Sequence, residues 1–305
     1  MNATDHSKDL RPADVRRRFD RAAKRFDEAD FVHRVTREGL LQRMRPISAQ
    51  AANVIDLGSA TGAAIPLLQK RFRHARIIAV DFSAGMLRGV RSKKTLLSKR
   101  HAVQADARML PFADASMDVV FSNLMLPWID NLGEVFAEVA RVLQSEGLFA
   151  FSTLGPDSLL EIREAWRAVD DGMHVNRFPD MHDVGDALVR AGLRDPVLDV
   201  DRLAVSYRSA AALLRDLTAA GARNSLRDRQ RGLMGRKRFR RFTHAVFAGG
   251  GERALTLELV YGHCWGGGAG ARGGDVTIDA RKIPLRRQGL VALYQRSRPF
   301  LGARR

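Results

Sequence analysis

Short apolar runs alternate with helical stretches between residues 53 and 154, and this alternation constrains the fold more than any other feature of the chain. The runs NVIDL, RIIAV, HAVQAD, MDVVFSNL and GLFAFSTL have the length of strands, and helix-length segments such as GAAIPLLQKRF, SAGMLRGVRSKK and LGEVFAEVARVLQ separate most of them. Buried strands joined by helical crossovers form a parallel sheet with helices on both faces. The pattern therefore predicts an α/β fold with a doubly wound, mostly parallel sheet.

Helical patterns flank this region on both sides. Apolar side chains recur at helical spacing through residues 14–45, which predicts one long or two broken amphipathic helices. After residue 156, the helical segments DSLLEIREAWRAV and MHDVGDALVRAGL precede two more strand patterns, PVLDVDRLAVSY and ALTLELVYGHCW, which brings the expected strands to seven. We expect an N-terminal helical lid (1–50), a sheet-forming core (51–155), a cap that completes the sheet (156–263) and a mobile Gly/Arg-rich tail (264–305).

The amino-acid composition limits which cellular compartment and which partners we expect for the protein. Cys264 is the single cysteine, and no apolar run reaches the ~18 residues of a membrane span. The first residues lack the apolar segment of a signal peptide, so we expect a cytoplasmic monomer that binds no membrane. The net charge of +17 is concentrated in residues 202–305, which hold 22 Lys/Arg and 6 Asp/Glu. This excess favours an anionic partner, either an acidic protein or a nucleic acid, unless it is an ordinary solvated face.

Three acidic residues lie where predicted strands end. Asp56 closes the first strand beside the turn GSATG, Asp81 ends the second strand and Asp106 ends the third. The carboxyl ends of parallel strands form the ligand site of open α/β sheets, where carboxylates accept hydrogen bonds from ribose hydroxyls and from an adenine amino group. The turn lacks the G-x-G-x-x-G pattern that a dinucleotide pyrophosphate needs, and it lacks a P-loop lysine. S-adenosylmethionine has no phosphate to hold, so the pattern favours this methyl donor over NAD.

Four segments between residues 54 and 153 together resemble the class I S-adenosylmethionine-dependent methyltransferases: VIDLGSATG, VDFSAGML, QADARMLPFADASMDVVFSNLMLPW and RVLQSEGLFAFST. The resemblance implies a Rossmann-like fold that binds S-adenosylmethionine. The cofactor-binding residues that it implies are Asp56, Gly58, Ser59, Ala60, Gly62, Asp81, Phe82, Met86, Asp106, Ala107 and Asn123. Ala60 departs from the usual G-x-G-x-G turn, and its methyl group would crowd the cofactor or require a backbone angle that alanine adopts reluctantly. A non-catalytic binding protein with a degenerate cofactor site is therefore an alternative.

Further segments resemble a narrower family. RRFDRAAKRFDEAD, the stretch from STLGPDSLL to VLDVD, LLRDLTAAGARN, RGLMGRKRF and LELVYGHCWG are similar to the malonyl-acyl-carrier-protein O-methyltransferases of biotin synthesis, over residues 17–266. The resemblance implies methylation of the free carboxylate of a malonyl thioester, carried by an acyl carrier protein or by coenzyme A. A methyltransferase-like hydroxylase or assembly factor that acts on another protein is the alternative enzyme.

This reaction requires a positioned carboxylate rather than a general base, because a carboxyl group with a pKa of about 4 is already ionised at pH 7. The loop segment HVNRF provides Arg177 to hold the carboxylate, and His174 and Asn176 to donate hydrogen bonds. These three are the expected catalytic residues. In the alternative interpretation, Arg177 pairs with Asp170 or Asp180 and only fixes the loop.

Aromatic and basic residues are expected around both ligands. Phe19, Arg25 and Phe26 are candidates either for a lid over the methionine end of the cofactor or for plain helix packing. Trp128 and Trp166 are candidates either for walls of the acyl site or for ordinary core residues.

The arginine-rich segment 231–242 is expected to attract an acidic carrier protein. Few aromatic residues nearby suit base stacking, which makes nucleic acid the less favoured partner. No His/Cys cluster has metal-ligand spacing, so no metal is expected. His33 is expected on an ordinary surface or on a half-buried face.

Overall fold

The computed structural model describes residues 10–92, 101–229, 232, 234–247, 251–267 and 292–294. The α-helices are α1 (Pro12–Ala22), α2 (Phe31–Met44), α3 (Ile65–Arg71), α4 (Ala84–Ser92), α5 (Leu132–Val142), α6 (Leu160–Arg167), α7 (Met181–Arg190), α8 (Ala210–Ala219) and α9 (Arg236–Val246). The strands are β1 (Asn53–Leu57), β2 (Arg76–Asp81), β3 (His101–Gln104), β4 (Met117–Asn123), β5 (Leu143–Leu154), β6 (Arg194–Tyr207), β7 (Arg253–Trp265) and β8 (Ala292–Tyr294). Short 3-10 helices lie at Phe26–Ala29 and Leu126–Trp128.

These strands form one sheet in the order β3-β2-β1-β4-β5-β7-β6-β8. Strands β1 to β5 run parallel, β7 is antiparallel to both β5 and β6, and β8 is parallel to β6. The prediction of a doubly wound, mostly parallel sheet is confirmed. The short strand β8 is an eighth strand at the edge of the sheet, inside the segment expected to be a tail. The rest of that segment from residue 268, namely 268–291 and 295–305, lies outside the described residues.

The strand order reverses between β1 and β4, which are neighbours in the sheet. One half of the chain continues outward from β1 to β2 and β3, and the other continues from β4 to β5. Such a reversal leaves a crevice at the carboxyl ends of the two central strands, where ligands bind in this class of sheet. A ligand site is therefore expected at the turns that follow β1, β2 and β4.

Helices cover both faces of the sheet. One buried layer contains apolar side chains of α2, α3 and α4, and the other contains those of α5 and α7. Successive strand residues alternate between the layers, as Val54 and Ile55 of β1 do, and each such buried aliphatic side chain stabilises the fold by roughly 1.5–3 kcal/mol. No described helix is long and apolar enough to cross a membrane.

Helices α6, α8 and α9 form a smaller cap with its own apolar cluster, in which Trp166, Leu213 and Phe242 are buried. The N-terminal segment forms two helices, α1 and α2, with a 3-10 turn between them. Helix α1 contacts the connection between α8 and α9, because buried Asp14 pairs with Arg229 at 2.6 Å. Helix α1 thus bridges the cap and the sheet domain.

Candidate active site

The turn after β1 has the backbone conformation of a glycine-rich turn. The φ angles of Gly58, Ala60 and Gly62 are 73°, 47° and 79°, so all three lie in the left-handed region. Of the two consequences expected for Ala60, the structure shows the unfavourable backbone angle, at a cost of roughly 1–2 kcal/mol. Gly58 is required for a second reason, because a Cβ atom there would lie 2.5 Å from the Met125 side chain.

Asp81 at the end of β2 holds this turn in place. Its Oδ2 accepts a hydrogen bond from the Ala60 amide at 2.9 Å, and its Oδ1 accepts one from the Ser83 amide at 2.7 Å. Burial raises the pKa of Asp81 to about 6, although these two hydrogen bonds oppose the rise. Ser83 also caps α4, because its Oγ accepts a hydrogen bond from the Met86 amide at 3.2 Å.

Asp56 lies buried beneath the turn with an unsatisfied carboxylate oxygen. Its Oδ2 atom is buried and has no hydrogen-bond partner in the part of the chain that the structure describes, and the same is true of Ser59 Oγ. Burial raises the pKa of Asp56 to about 7, against the opposing positive charge of Arg37. A buried acceptor of this kind is stabilised by a ligand that carries positive charge. The ammonium and sulfonium groups of S-adenosylmethionine satisfy that requirement.

A cavity of about 160 Å³ opens at the carboxyl ends of β1, β2 and β4, and we call it the strand-end cavity. Seven of the expected cofactor residues line it: Gly58, Ala60, Asp81, Phe82, Asp106, Ala107 and Asn123. The other four, Asp56, Ser59, Gly62 and Met86, are not among its lining residues. Gly62 packs against Ile65 and Val90, and Met86 is buried against the N-terminal segment.

Two lining residues are already engaged by protein groups. Arg108 makes two side-chain hydrogen bonds to Asp106, the shorter at 2.7 Å, and they hold the pKa of Asp106 below its usual value. Asn123 accepts a hydrogen bond from Ser152 Oγ at 2.9 Å and donates one to the carbonyl of His33 at 3.0 Å. Asn123 therefore fixes the start of α2 against the end of β4.

The N-terminal segment closes the strand-end cavity. Phe19 and Phe26 both line it, whereas Arg25 lines a different cavity. The Asp20 carboxylate on α1 accepts hydrogen bonds from Ser83 Oγ at 2.6 Å and from the Gly85 amide at 2.8 Å. These contacts fix α1 to the first turn of α4, directly over the cofactor turn.

A second cavity of about 1630 Å³ lies between α1, the sheet and the cap, and we call it the cap cavity. Leu159, Leu213, Phe242 and Leu255 contribute to an apolar wall, and Trp166 lines it as expected. Arginines contribute much of the polar lining: Arg17, Arg18, Arg25, Arg208, Arg215, Arg223, Arg229 and Arg238.

The structure separates the three residues expected from HVNRF. His174 and Asn176 line the cap cavity, and Asn176 Nδ2 donates a hydrogen bond to the carbonyl of Pro127 at 3.2 Å. Arg177 is exposed and lines neither cavity, so the prediction that it holds the substrate carboxylate is not supported. His174, Val175, Asn176 and Phe178 all line the cap cavity, so Arg177 is the residue of this segment that faces away from it.

His174 belongs to a compact polar group on Trp166. Its Nε2 lies 2.7 Å from Asp170 Oδ1, and its ring stacks on Trp166 with 3.7 Å between ring centroids. Arg238 also pairs with Asp170, so this member of the expected basic segment faces inward. Burial acts to raise the pKa of Asp170, but hydrogen bonds from His174, the Gly172 amide and Arg238 outweigh it and lower the pKa to about 2.

His33 is a site residue that the sequence reasoning missed. Together with Leu124 and Trp128 it lines both cavities, so it marks the place where they meet. Its Nδ1 atom is buried and has no hydrogen-bond partner among the described residues. Burial lowers the pKa of His33 to about 4, with Asp30 opposing the shift, and the ring is neutral at pH 7. The amphipathic pattern of α2 carries no signal that would distinguish this histidine from a surface one.

The two cavities therefore differ in charge and meet at a neutral junction. The strand-end cavity contains carboxylates that suit a cationic ligand, and the cap cavity is apolar and lined with arginines. Within the described part of the chain, no group of three or more His, Cys, Asp or Glu side chains is placed to hold a metal ion. This arrangement suits transfer of a group from a cationic cofactor to an anionic substrate.

Comparisons with known proteins agree with this geometry. The family profile described as "Methyltransferase domain" matches residues 55–151. The YcgJ protein of Bacillus subtilis has a TM-score of 0.53 at 15% identity, over 75% of this chain and 97% of that one. A SAM-dependent methyltransferase of Thermotoga maritima has a TM-score of 0.50 at 18% identity, over 82% of this chain and 99% of that one. These likenesses show the class I methyltransferase fold.

Sequence relatives define a narrower group. A malonyl-[acyl-carrier protein] O-methyltransferase of Methylovorus sp. (strain MP688) is 42% identical over 261 residues, which are 83% of this chain and 88% of the relative. The protein of the same name from Halorhodospira halophila is 40% identical over 282 residues, 90% of this chain and 96% of the relative. The chain is thus an S-adenosylmethionine-dependent O-methyltransferase. It belongs to the family of malonyl-[acyl-carrier protein] O-methyltransferases.

Proposed function

We propose that this enzyme methylates the free carboxylate of a malonyl group carried on an acyl carrier protein, the step that the family resemblance assigns to biotin synthesis. The observation that carries the proposal is the shared lining of the two cavities. His33, Leu124 and Trp128 line both of them, so a cofactor in the strand-end cavity reaches a substrate in the cap cavity at that place.

The strand-end cavity provides groups for each part of the cofactor. Asp81 has lone pairs left for the ribose hydroxyls after it has bound the two amides, and Asp106 is placed for the adenine side. The unsatisfied oxygen of Asp56 and the hydroxyl of Ser59 lie buried in and next to the cofactor turn, outside the cavity lining, and would reach the methionine end only if the turn opens. The cavity is smaller than the roughly 300–1,000 Å³ of most small-molecule sites, because the N-terminal segment closes it. We infer that α1 moves outward when the cofactor enters.

The transfer itself requires alignment rather than proton removal. Bound S-adenosylmethionine would supply an electrophilic methyl group on a positively charged sulfur, which would leave as the neutral thioether. A malonyl carboxylate is already ionised at pH 7, so no residue of the protein has to remove a proton from it. The protein must therefore hold the carboxylate in line with the bond between this methyl group and sulfur, and exclude water.

Neutral hydrogen-bond donors orient the carboxylate in this proposal. The His33 ring lies at the junction, and Asn176 keeps one amide N–H group beyond the one that binds the Pro127 carbonyl. A bidentate pair with arginine would lower the nucleophilicity of the carboxylate more than neutral donors do. An uncharged junction between the two cavities suits this reaction for that reason.

The basic surface beside the cap cavity suits an acidic carrier protein. Arg236, Lys237, Arg240 and Arg241 are exposed on α9, whereas Arg231 lies outside the described residues. Arg238 and Phe242 of the same helix line the cap cavity, so this surface adjoins the substrate site. Positive charge near the entrance raises the association rate of an acidic partner.

Product analysis tests the proposal. The purified protein is incubated with S-adenosylmethionine and malonyl-, acetyl- or succinyl-carrier protein, and the acyl group of each carrier is examined by fragmentation in a mass spectrometer. We expect malonyl-carrier protein alone to gain one methyl group, on its malonyl carboxylate, at an appreciable rate. Methylation of an amino group, or an unmodified malonyl carrier alongside modification of another protein, would overturn the proposal.

A further inference from the structure

Four arginines lie together in the lining of the cap cavity. Arg17 and Arg18 come from α1, and Arg223 and Arg229 come from the connection between α8 and α9. The Asp14 carboxylate pairs with Arg17 and, at 2.6 Å, with Arg229. The cluster therefore combines four guanidinium groups with one carboxylate that is shared by two of them.

Arg18 is partly withdrawn from solvent, whereas Arg17 and Arg223 are exposed. The Nε atom of Arg18 is buried and has no hydrogen-bond partner among the described residues, while Nη2 donates to the carbonyl of Asn224. Burial lowers the pKa of the Arg18 guanidinium, and the like charges of Arg229 and Arg223 lower it further. Neighbouring guanidinium groups that include an unsatisfied buried donor are stabilised by a bound anion.

We propose that Arg17, Arg18, Arg223 and Arg229 bind the phosphate of the phosphopantetheine arm that carries the malonyl group. The proposal rests on the proposed function, since acyl carrier proteins and coenzyme A both hold their acyl groups through this arm. Guanidinium groups match phosphate oxygens in geometry and charge, and several of them together in one cavity lining make a site for a phosphate ester. The acyl end then extends into the cap cavity towards His33.

The site would also couple substrate binding to closure of the N-terminal segment. Two of its arginines lie on α1 and two lie on the cap connection, so one phosphate contacts both elements. Helix α1 also bears Asp20, which is hydrogen-bonded to the first turn of α4 over the cofactor turn. A phosphate held by both elements therefore ties α1 to the cap connection and limits how far α1 moves away from the cofactor turn.

The test compares two malonyl thioesters that differ only in the phosphate. Malonyl-phosphopantetheine and malonyl-pantetheine are assayed with the natural protein, with Arg18→Gln and with Arg223→Gln. We expect each substitution to raise KM for the phosphorylated substrate about tenfold, and to change KM for malonyl-pantetheine less than about twofold. Arg21→Gln is the matched control, because it removes the same charge from α1 at an exposed position that lines neither cavity, and it should change neither value.

Several outcomes would overturn the proposal. Equal losses with both substrates would show that the arginines serve the fold, and no loss with either would show that they do not meet the phosphate. Arg223→Gln keeps this test valid if Arg18→Gln unfolds, because Arg223 is exposed. A loss with malonyl-coenzyme A but none with malonyl-carrier protein would assign the cluster to the nucleotide phosphates of coenzyme A. If the natural protein methylates no malonyl thioester at all, it is the proposed function that fails.

Discussion

The strand-end cavity and the cap cavity are built in different ways. The strand-end cavity is formed by residues at the ends of neighbouring strands, with backbone amides held by Asp81, and its charged lining includes Asp106, Asp130 and Glu134. The cap cavity is formed where α1 meets helices from the second half of the chain, and arginines dominate its charge. Residues at the ends of neighbouring strands thus form the strand-end cavity, whereas the cap cavity forms only when distant parts of the chain pack together. Substitutions in one cavity that leave α1 in place should therefore leave the ligand of the other unaffected.

The largest effect is expected at Asp81. Asp81→Ala removes the acceptor of two backbone amides and releases the cofactor turn. We expect the Kd of S-adenosylhomocysteine to rise about 100-fold, or about 2.7 kcal/mol, in a calorimetric titration. Asp118→Ala is the matched control, because Asp118 Oδ2 accepts from the amides of Ala52 and Asn53 at the opposite edge of the sheet. Equal weakening by both substitutions would mean that the effect is one of general stability.

The second-largest effect is expected at His33, and it should distinguish the place where the two cavities meet from the cofactor site. His33→Leu removes a ring that lines both cavities while keeping an apolar side chain of similar size. We expect kcat/KM for the malonyl carrier to fall about 30-fold, with the Kd of S-adenosylhomocysteine within about twofold. His33→Gln retains a neutral donor and should recover activity to within about threefold. A parallel loss of cofactor affinity in His33→Leu would place this residue in the cofactor site alone.

The affinity of the strand-end cavity for its ligand should depend on pH. The pKa of Asp56 is about 7 and that of Asp81 about 6, so both carboxylates become ionised as the pH rises from 6 to 8. Affinity for the cationic amino group of S-adenosylhomocysteine should therefore increase by about tenfold over this range, and less in Asp56→Asn. In the absence of ligand, the stability of the folded protein should change with pH in the opposite direction. The folded state holds the Asp56 proton more tightly than the unfolded state, so stability falls as the pH rises from about 4 to 7. Affinity that decreases with pH would contradict this account.

The smallest effect is expected at Arg177, the residue that the sequence suggested as the carboxylate anchor. It is exposed and lines neither cavity, so Arg177→Gln should change kcat/KM for the malonyl carrier by less than about twofold. Asn176→Ala provides the comparison, because Asn176 faces the cap cavity. It should lower kcat/KM more than Arg177→Gln does. A tenfold loss in Arg177→Gln would show that the loop rearranges when substrate binds.

The strand-end cavity could be predicted from sequence because its parts are local. Parallel strands bring their carboxyl ends to one edge, so three acids at successive strand ends already indicate a site. The left-handed angle of Ala60 follows from its place in a glycine-rich turn. The sequence pattern could not predict that β7 lies between β5 and β6. Alternation of apolar and polar residues indicates which face of a strand is buried, but not which strand pairs with it.

The cap cavity could not be predicted to the same extent. Which side of α2 faces the sheet decides whether His33 meets both cavities or meets solvent, and that rotation depends on how the N-terminal segment docks. Arg18 and Arg223 are 205 positions apart and come together only when α1 reaches the cap connection. The composition showed an excess of positive charge, but the part of it that faces inward is set by tertiary contacts.

The most direct measurement is a calorimetric titration of S-adenosylhomocysteine into the natural protein and into Ala60→Gly. A turn with alanine in its left-handed position should still hold the cofactor, because Asp81 fixes the amide of that alanine. We expect a Kd of about 1–50 μM for the natural protein, and a value within about threefold for Ala60→Gly. An absence of binding by the natural protein, restored in Ala60→Gly, would contradict this expectation and would show that Ala60 closes the cofactor site.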